Sequence, residues 1–186
     1  MGVRSFDTER LTIRRFIYTD WLDLHDYLSD PEVVRFEPYE PFDCEASKAE
    51  CKRRSKDPSF WAVELKSEHK VIGNIYFARG DFETCELGYV FNRAYWRMGY
   101  AKEACRALID HAFSMLGVRR VVAMCNPANE SSWRLMESLG MRREAVHMQN
   151  IWFKQDENGE PVWQDTYEYA VLRGEWKSGV HPGRGE

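Results

Sequence analysis

The chain has 186 residues, with 26 Lys and Arg against 30 Asp and Glu, a formal net charge of −4 and 44% hydrophobic residues. This length and composition predict a single domain whose core needs neither disulfides nor a structural metal. The lack of a basic surplus argues against nucleic acid as the main partner. No apolar run approaches the ~18 residues of a membrane span. The N-terminus lacks the apolar segment of a signal peptide, so we expect a cytoplasmic protein without a membrane partner.

The cysteines and histidines show no pattern typical of a disulfide framework, a zinc site or a nucleophilic triad. The five cysteines are odd in number and none pairs in a C-x-x-C motif, which favours reduced thiols. None of the five histidines stands at metal-ligand or triad spacing from a Cys or Asp. We therefore predict neither a metal nor a covalent nucleophile.

The N-terminal part of the chain predicts one strand and two helices. Residues 8–16 alternate apolar and polar side chains, as a strand does. Asp20 precedes apolar residues at helical spacing, which indicates a first helix. A loop at 36–42, rich in aromatic residues and proline, separates this helix from a second, polar helix at 45–56.

Three strands and the clearest helix follow. Residues 60–65 and 71–77 are rich in β-branched and aromatic side chains and are joined by a polar turn, which predicts a hairpin. Residues 85–91 are expected to continue it as a third strand. Apolar residues then recur at helical spacing over 101–116, and Gly117 is expected to end this helix.

The last third of the chain predicts a strand, a helix and two more strands. Residues 118–125 are expected to form a short buried strand, and the dipeptide at 126–127 is expected to open a helix that Gly140 ends. Two final strands are predicted near 146–154 and 162–172. This order of elements implies a mixed sheet with helices on both faces.

The chain is expected to form one domain over residues 1–178. The remaining residues, 179–186, are rich in Gly, Pro and charge, which predicts a disordered tail.

The turn at 95–104, before the long predicted helix, has the features of an anion site. Amide N–H groups at a helix start have no partner within the helix, and the helix dipole adds partial positive charge, so a phosphate is a natural occupant. Gly99 has no side chain to block a pyrophosphate. The alternative is that Gly99 only makes a tight strand-to-helix turn. With one glycine, the turn matches neither the Rossmann nor the P-loop pattern.

This turn belongs to a wider pattern of short segments. They are TERLTIR at 8–14, IGN at 72–74, LGYVF at 87–91, NESS at 129–132, LGM at 139–141 and LRGEW at 172–176. Together, over almost the whole chain, they resemble the GNAT acyltransferases, specifically the RimJ/RimL-like branch of ribosomal-protein N-acetyltransferases. The family's phosphate loop begins with Gln or Arg, whereas this chain has Trp96. That departure leaves the backbone amides of the loop available.

The resemblance implies a GNAT fold, with three α+β layers around a mixed, mostly antiparallel sheet of about seven strands. It also implies acetyl-CoA, or another acyl-CoA, as the co-substrate. The pantetheine would lie along the strand that ends at Val90 and Phe91, where an N–H near Val90 would polarise the thioester carbonyl. The pyrophosphate would lie on the turn formed by Arg97, Met98, Gly99, Tyr100, Ala101 and Lys102.

Three polar residues near this predicted cofactor site have two interpretations each. Arg97 and Lys102 either make charge-assisted contacts to phosphates or are ordinary solvated side chains. Asn129 either contacts the cofactor, as the corresponding family residue does, or only caps a helix.

Transfer to an amine requires a group that takes a proton from nitrogen and one that gives a proton to the departing thiolate. Glu86 is the predicted base, directly or through a water; the alternative is a solvent-facing carboxylate. In many family members the acid is a Tyr at the position where this chain has Met136. We predict Ser132 as the acid, because helical spacing places it on the inward face with Leu135 and Leu139. Alternatively, Ser132 only satisfies backbone groups.

The loop at 36–42 lies where the family receives its acceptor, and it combines aromatic rings with Glu37 and Glu40. Such a loop either holds a cationic amine or only packs over the core.

The predicted function is transfer of an acetyl group from acetyl-CoA to a primary amine, by direct attack in a ternary complex. The acceptor is a protein N-terminus or a small-molecule amine, and the protein is a monomer or a homodimer. The alternative is a non-catalytic acyl-CoA-binding or sensor module.

Overall fold

The computed structural model describes residues 5–176. Eight strands form one sheet: β1 (Ser5–Asp7), β2 (Leu11–Arg14), β3 (Phe60–Leu65), β4 (Lys70–Arg79), β5 (Thr84–Phe91), β6 (Arg120–Cys125), β7 (Arg142–Gln155) and β8 (Pro161–Leu172). Four α-helices accompany them: α1 (Trp21–Leu28), α2 (Cys44–Arg54), α3 (Tyr100–Met115) and α4 (Glu130–Ser138).

The sheet has the order β1-β2-β3-β4-β5-β6-β8-β7, and its only parallel neighbours in this described sheet are β5 and β6. Their pairing is short, since it runs from Thr84 beside Arg120 to Glu86 beside Val122. Beyond Glu86, the rest of β5 has no partner strand on that side. The sheet therefore opens into a cleft between β5 and β6.

Helices cover both faces of the sheet, each over its own apolar core. Helices α1 and α2 bury Leu24, Tyr27 and Cys51 against the sheet residues Ala62 and Val90. On the opposite face, α3 and α4 cover the larger core, to which they contribute Ala104, Cys105, Leu108, Ile109, Ala112, Phe113 and Met136. The predicted three-layer α+β fold with a mostly antiparallel sheet is confirmed.

The clearest differences from the predicted boundaries are near the N-terminus and before α4. The sheet gains an eighth strand, β1, and the strand predicted at 8–16 shrinks to β2, because the amide of Thr8 donates to the Leu11 carbonyl in a turn. Helix α4 begins at Glu130 instead of 126–127, because the Asn126 side chain accepts from the Ala128 amide and closes a separate turn. The tail predicted at 179–186 lies outside the described residues. Within 5–176, no helix is both long and apolar enough to cross a membrane.

Candidate active site

The turn before α3 has the backbone conformation that its glycine predicts. Gly99 precedes α3 with φ +83°, in the left-handed region that favours glycine. A Cβ at this position would also lie 3.4 Å from Nη2 of Arg10. The first α3 amides, those of Tyr100, Ala101 and Lys102, have no carbonyl partner within the helix. The turn thus presents several N–H donors and the positive end of a 16-residue helix to the same space.

An arginine from the opening strand region holds this turn in place. Arg10 donates from Nε to Oε2 of Glu103 at 2.7 Å and from Nη1 to the Met98 carbonyl at 3.0 Å. Its guanidinium lies 4.3 Å from the centre of the Tyr100 ring. Thr8 donates to the other Glu103 oxygen at 2.6 Å. Burial opposes ionisation of Glu103, but these hydrogen bonds outweigh it and lower the pKa of its carboxyl.

The strand register decides which β5 amides face the cleft. The Asn92 amide donates a hydrogen bond to the Ile72 carbonyl at 2.9 Å. Because hydrogen-bonded pairs alternate with non-hydrogen-bonded pairs in an antiparallel ladder, the next hydrogen-bonded pair along β4 and β5 is Asn74 with Val90. Tyr89 and Phe91 turn their main-chain groups the other way, towards the cleft. The Phe91 carbonyl already accepts from Nε1 of Trp96 at 2.7 Å. The N–H groups of Tyr89 and Phe91, rather than that of Val90, are therefore the amides that face the cleft.

A cavity of about 1050 Å³ connects the α3 turn, the β5–β6 cleft and the loop between α1 and α2. Met98 is the one predicted site residue that is not among its described lining residues. The Met98 side chain is exposed, and the carbonyl accepts from Arg10. The predicted site residues that do line the cavity are Glu86, Val90, Phe91, Arg97, Gly99, Tyr100, Ala101, Lys102, Asn129 and Ser132. Asn129 also caps α4, since its side chain accepts from the Ser132 amide at 3.2 Å.

Glu86 and Ser132 approach the cavity from opposite faces of the sheet. Glu86 is exposed and shares the β5 face of Val90, which packs beneath α1 and α2. Ser132 belongs to the first turn of α4, which packs on the other face.

Tyr89 is a functional candidate that the sequence reasoning missed. Its hydroxyl oxygen lies 2.9 Å from Oγ of Ser132 and also donates to the Ser132 carbonyl at 3.0 Å. The Cys125 thiol lies against the same serine hydroxyl. Burial raises the pKa of both Tyr89 and Cys125. A phenol thus lies beside Ser132, although the tyrosine position on α4 is occupied by Met136. The alternation of side chains along β5 could have predicted this inward position, since Tyr89 shares a face with the buried Cys85 and Leu87.

The segment 36–42 of the loop between α1 and α2 carries two glutamates with different surroundings. Glu37 lines the cavity and accepts a hydrogen bond from the Tyr39 hydroxyl. Burial raises the pKa of Glu37 to about 7, against the opposing influence of Tyr39 and Arg54. Glu40 is exposed, pairs with Nζ of Lys154 at 3.0 Å, and is not among the described residues that line the cavity.

Charge is distributed unevenly around the cavity. Arg97 and Lys102 line it near the α3 turn. The α1–α2 loop and the strands β5 and β8 contribute the carboxylates Glu32, Glu37, Glu86 and Asp165, with Arg35 as a cation on the loop. No group of three or more His, Cys, Asp or Glu side chains within residues 5–176 is arranged to hold a metal ion.

Comparison with known proteins identifies the family to which this architecture belongs. The family model described as the acetyltransferase (GNAT) domain matches residues 10–142. The chain is 37% identical to the Bacillus subtilis (strain 168) protein named uncharacterized N-acetyltransferase YnaD, over 91% of this chain and 97% of that one. A GNAT-family acetyltransferase from Bacillus anthracis has a crystal structure with TM-score 0.84 and 35% identity, over 92% of this chain and 99% of that chain.

A more distant structure shares the fold alone. It is a spermidine N-acetyltransferase from Vibrio cholerae in complex with CoA and spermine, with TM-score 0.74 and 16% identity over 90% of this chain and 98% of that chain. Both solved structures share the overall fold described above. The chain is a member of the GNAT family of N-acetyltransferases.

Proposed function

We propose that this enzyme transfers an acetyl group from acetyl-CoA to a primary amine, by direct attack within a ternary complex. The observation that carries the proposal is the single cavity, which joins the amide-rich α3 turn to a carboxylate-lined end through the β5–β6 cleft. A diphosphate suits the first end and a cationic amine the second.

The α3 turn fits the diphosphate of coenzyme A. Gly99 holds a left-handed conformation at the helix start, and the first amides of α3 have no internal acceptor. Arg97 and Lys102 line the same end of the cavity and add charge-assisted contacts. Bound acetyl-CoA supplies an activated thioester, and the unpaired part of β5 offers main-chain groups to its pantetheine amides.

Three groups serve the transfer itself. Glu86 takes a proton from the acceptor nitrogen, directly or through a water. The cleft-facing amides of Tyr89 and Phe91 stabilise the negative charge that develops on the thioester oxygen as nitrogen attacks carbon. Ser132 donates a proton to the departing sulfur, with Tyr89 beside it as a second hydroxyl.

A screen of acceptors tests this function. Release of CoA thiol is measured with acetyl-CoA and a panel of peptides with free N-termini, polyamines and simple alkyl amines. We expect turnover with at least one class. Glu86→Gln should lower kcat/KM for the amine by about 10²-fold while acetyl-CoA affinity stays unchanged. A protein that binds acetyl-CoA tightly and acetylates no member of the panel would instead be a sensor module.

A further inference from the structure

Glu37 is a cavity carboxyl for which the mechanism above has no use. It lies on the α1–α2 loop, on the sheet face that also carries Glu86, and both side chains line the same cavity. Glu40, three residues later, is engaged with Lys154 outside that cavity. Of the two glutamates in the segment 36–42, Glu37 is therefore the one that lines the cavity, which Glu32, earlier in the loop, also lines.

The position of Glu37 is fixed by a chain of polar groups that leads to the buried Arg54. The Tyr39 hydroxyl donates to the Glu37 carboxylate, and Tyr39 lies against the guanidinium of Arg54. Arg54, at the end of α2, is only 2% exposed. It is held by Oδ1 of Asn74 at 2.8 Å and by Oε1 of Glu50 at 2.7 Å. A side chain anchored in this way keeps its place when a substrate enters.

Acetylation of an amine at neutral pH has to remove two protons from the nitrogen. An alkyl ammonium ion loses one proton before it can attack, and the attacking nitrogen loses another as the C–N bond forms. We propose that Glu37 takes the first proton and Glu86 the second, an inference that rests on the proposed acetyl transfer. The acceptor enters as an ammonium ion paired with the Glu37 carboxylate, and leaves that site as a neutral amine.

The step is balanced in atoms and charge. The ammonium N–H bond breaks and its proton passes to Glu37. The C–N bond forms, the C–S bond breaks, and the sulfur leaves with a proton from Ser132. The nitrogen gives its second proton to Glu86. Glu86 then reprotonates the Ser132 hydroxyl through solvent, and Glu37 releases its proton to water. The sum is an amide, CoA thiol and one proton.

The surroundings of Glu37 suit a group that must gain and lose a proton near neutrality. Burial raises its pKa to about 7, whereas the Tyr39 hydroxyl and the Arg54 charge act in the opposite direction. The other charged groups at this end of the cavity are Glu32 and Arg35 on the loop, Glu86 on β5 and Asp165 on β8. A carboxyl with a pKa near the working pH is an effective proton acceptor for an ammonium ion.

The test compares Glu37→Gln with Glu86→Gln on acceptors of different basicity. With alkyl amines at pH 7, Glu37→Gln should lower kcat/KM by about 10²-fold and leave the Kd of acetyl-CoA unchanged. With O-methylhydroxylamine, which is neutral at this pH, the Glu37→Gln defect should shrink to within about threefold, and that of Glu86→Gln should persist. Glu40→Gln, in the same loop, is the matched control and should behave as the wild type.

Two further measurements separate a proton-transfer role from a structural one. Tyr39→Phe removes a hydrogen bond that lowers the pKa of Glu37, so the acidic limb of the pH profile should move to higher pH. In the protein without substrates, ¹³C NMR of labelled glutamate carboxyls should show one titration near pH 7 that Glu37→Gln removes.

The role of Glu37 would be overturned if Glu37→Gln lowered kcat/KM equally with basic and neutral acceptors, or if its activity matched that of Glu40→Gln. Acetyl transfer itself would still stand in either case. A wild-type protein that acetylates neither kind of acceptor would overturn the proposed function and this inference with it.

Discussion

The two ends of the cavity are built in different ways. At the cofactor end, main-chain amides of α3 provide the donors, and a left-handed glycine creates the turn. At the acceptor end, side chains provide the chemistry, and Glu37 depends on Tyr39 and Arg54 for its position and proton affinity. A main-chain site tolerates most side-chain changes and is sensitive to the conformation of one glycine. A side-chain site loses its chemistry through single isosteric substitutions.

The largest effect is expected where the main-chain site depends on its glycine. Gly99→Val should abolish acetyl-CoA binding, because a β-branched residue resists φ +83° and its side chain would stand in the way of an approaching phosphate. Isothermal titration with acetyl-CoA measures the loss.

Gly117→Val is the matched control for strain at Gly99. Gly117 also has positive φ, at the far end of α3, and a Cβ there meets no described atom within 4 Å. It should cost stability without loss of binding. Binding that survived in Gly99→Val would show that the α3 turn does not hold the diphosphate.

The next effect concerns the two hydroxyls at the centre of the cavity. Ser132→Ala should lower kcat by about 10²-fold with an unchanged Kd for acetyl-CoA, because the departing thiolate loses its proton donor. Tyr89→Phe should lower kcat less, since it removes the partner of Ser132 and not the donor itself. Single-turnover release of CoA measures both rates. A Ser132→Ala enzyme within twofold of the wild type would leave Ser132 with only a structural role.

Features that depend on local backbone conformation could be predicted from the sequence, whereas contacts between distant side chains could not. The strand and helix periodicities predict the layers, and the turn at Gly99 predicts the anion site, because these features depend on local spacing and backbone conformation. The direction of the Val90 amide was not predictable, because it depends on the register between β4 and β5. The hydroxyl pair of Tyr89 and Ser132 joins residues 43 positions apart, and no local pattern encodes such a contact.

At the cofactor end, which is built mainly from main-chain groups, Arg10 is a side chain that supports the α3 turn. Arg10→Met should raise the KM for acetyl-CoA by about 10-fold with little change in kcat, because the turn loses the link to Met98 and Glu103. Glu103→Gln should have a similar effect, and the double variant should be no worse than either single one. Fully additive losses would mean that the two residues act on acetyl-CoA independently.

The smallest expected effect is on the free energy of unfolding. It tests whether the ionised Glu37 carboxyl destabilises the folded protein at neutral pH. The Glu37 pKa is raised from 4.5 to about 7 by burial, so between these values the folded state holds a proton that the unfolded state has lost. Stability from this group therefore falls as pH rises through that window, and the deficit persists above it. Glu37→Gln removes the deficit and should be more stable than the wild type by roughly 1–3 kcal/mol at pH 8, with little difference at pH 4. Urea unfolding at both pH values measures the two differences, with Glu40→Gln as the control for the loss of one surface charge. Other titrating groups cancel because they are present in both proteins. A stability difference that did not change with pH would mean that Glu37 is as well solvated as Glu40, and the acceptor end would then lack the buried carboxyl that distinguishes it from the cofactor end.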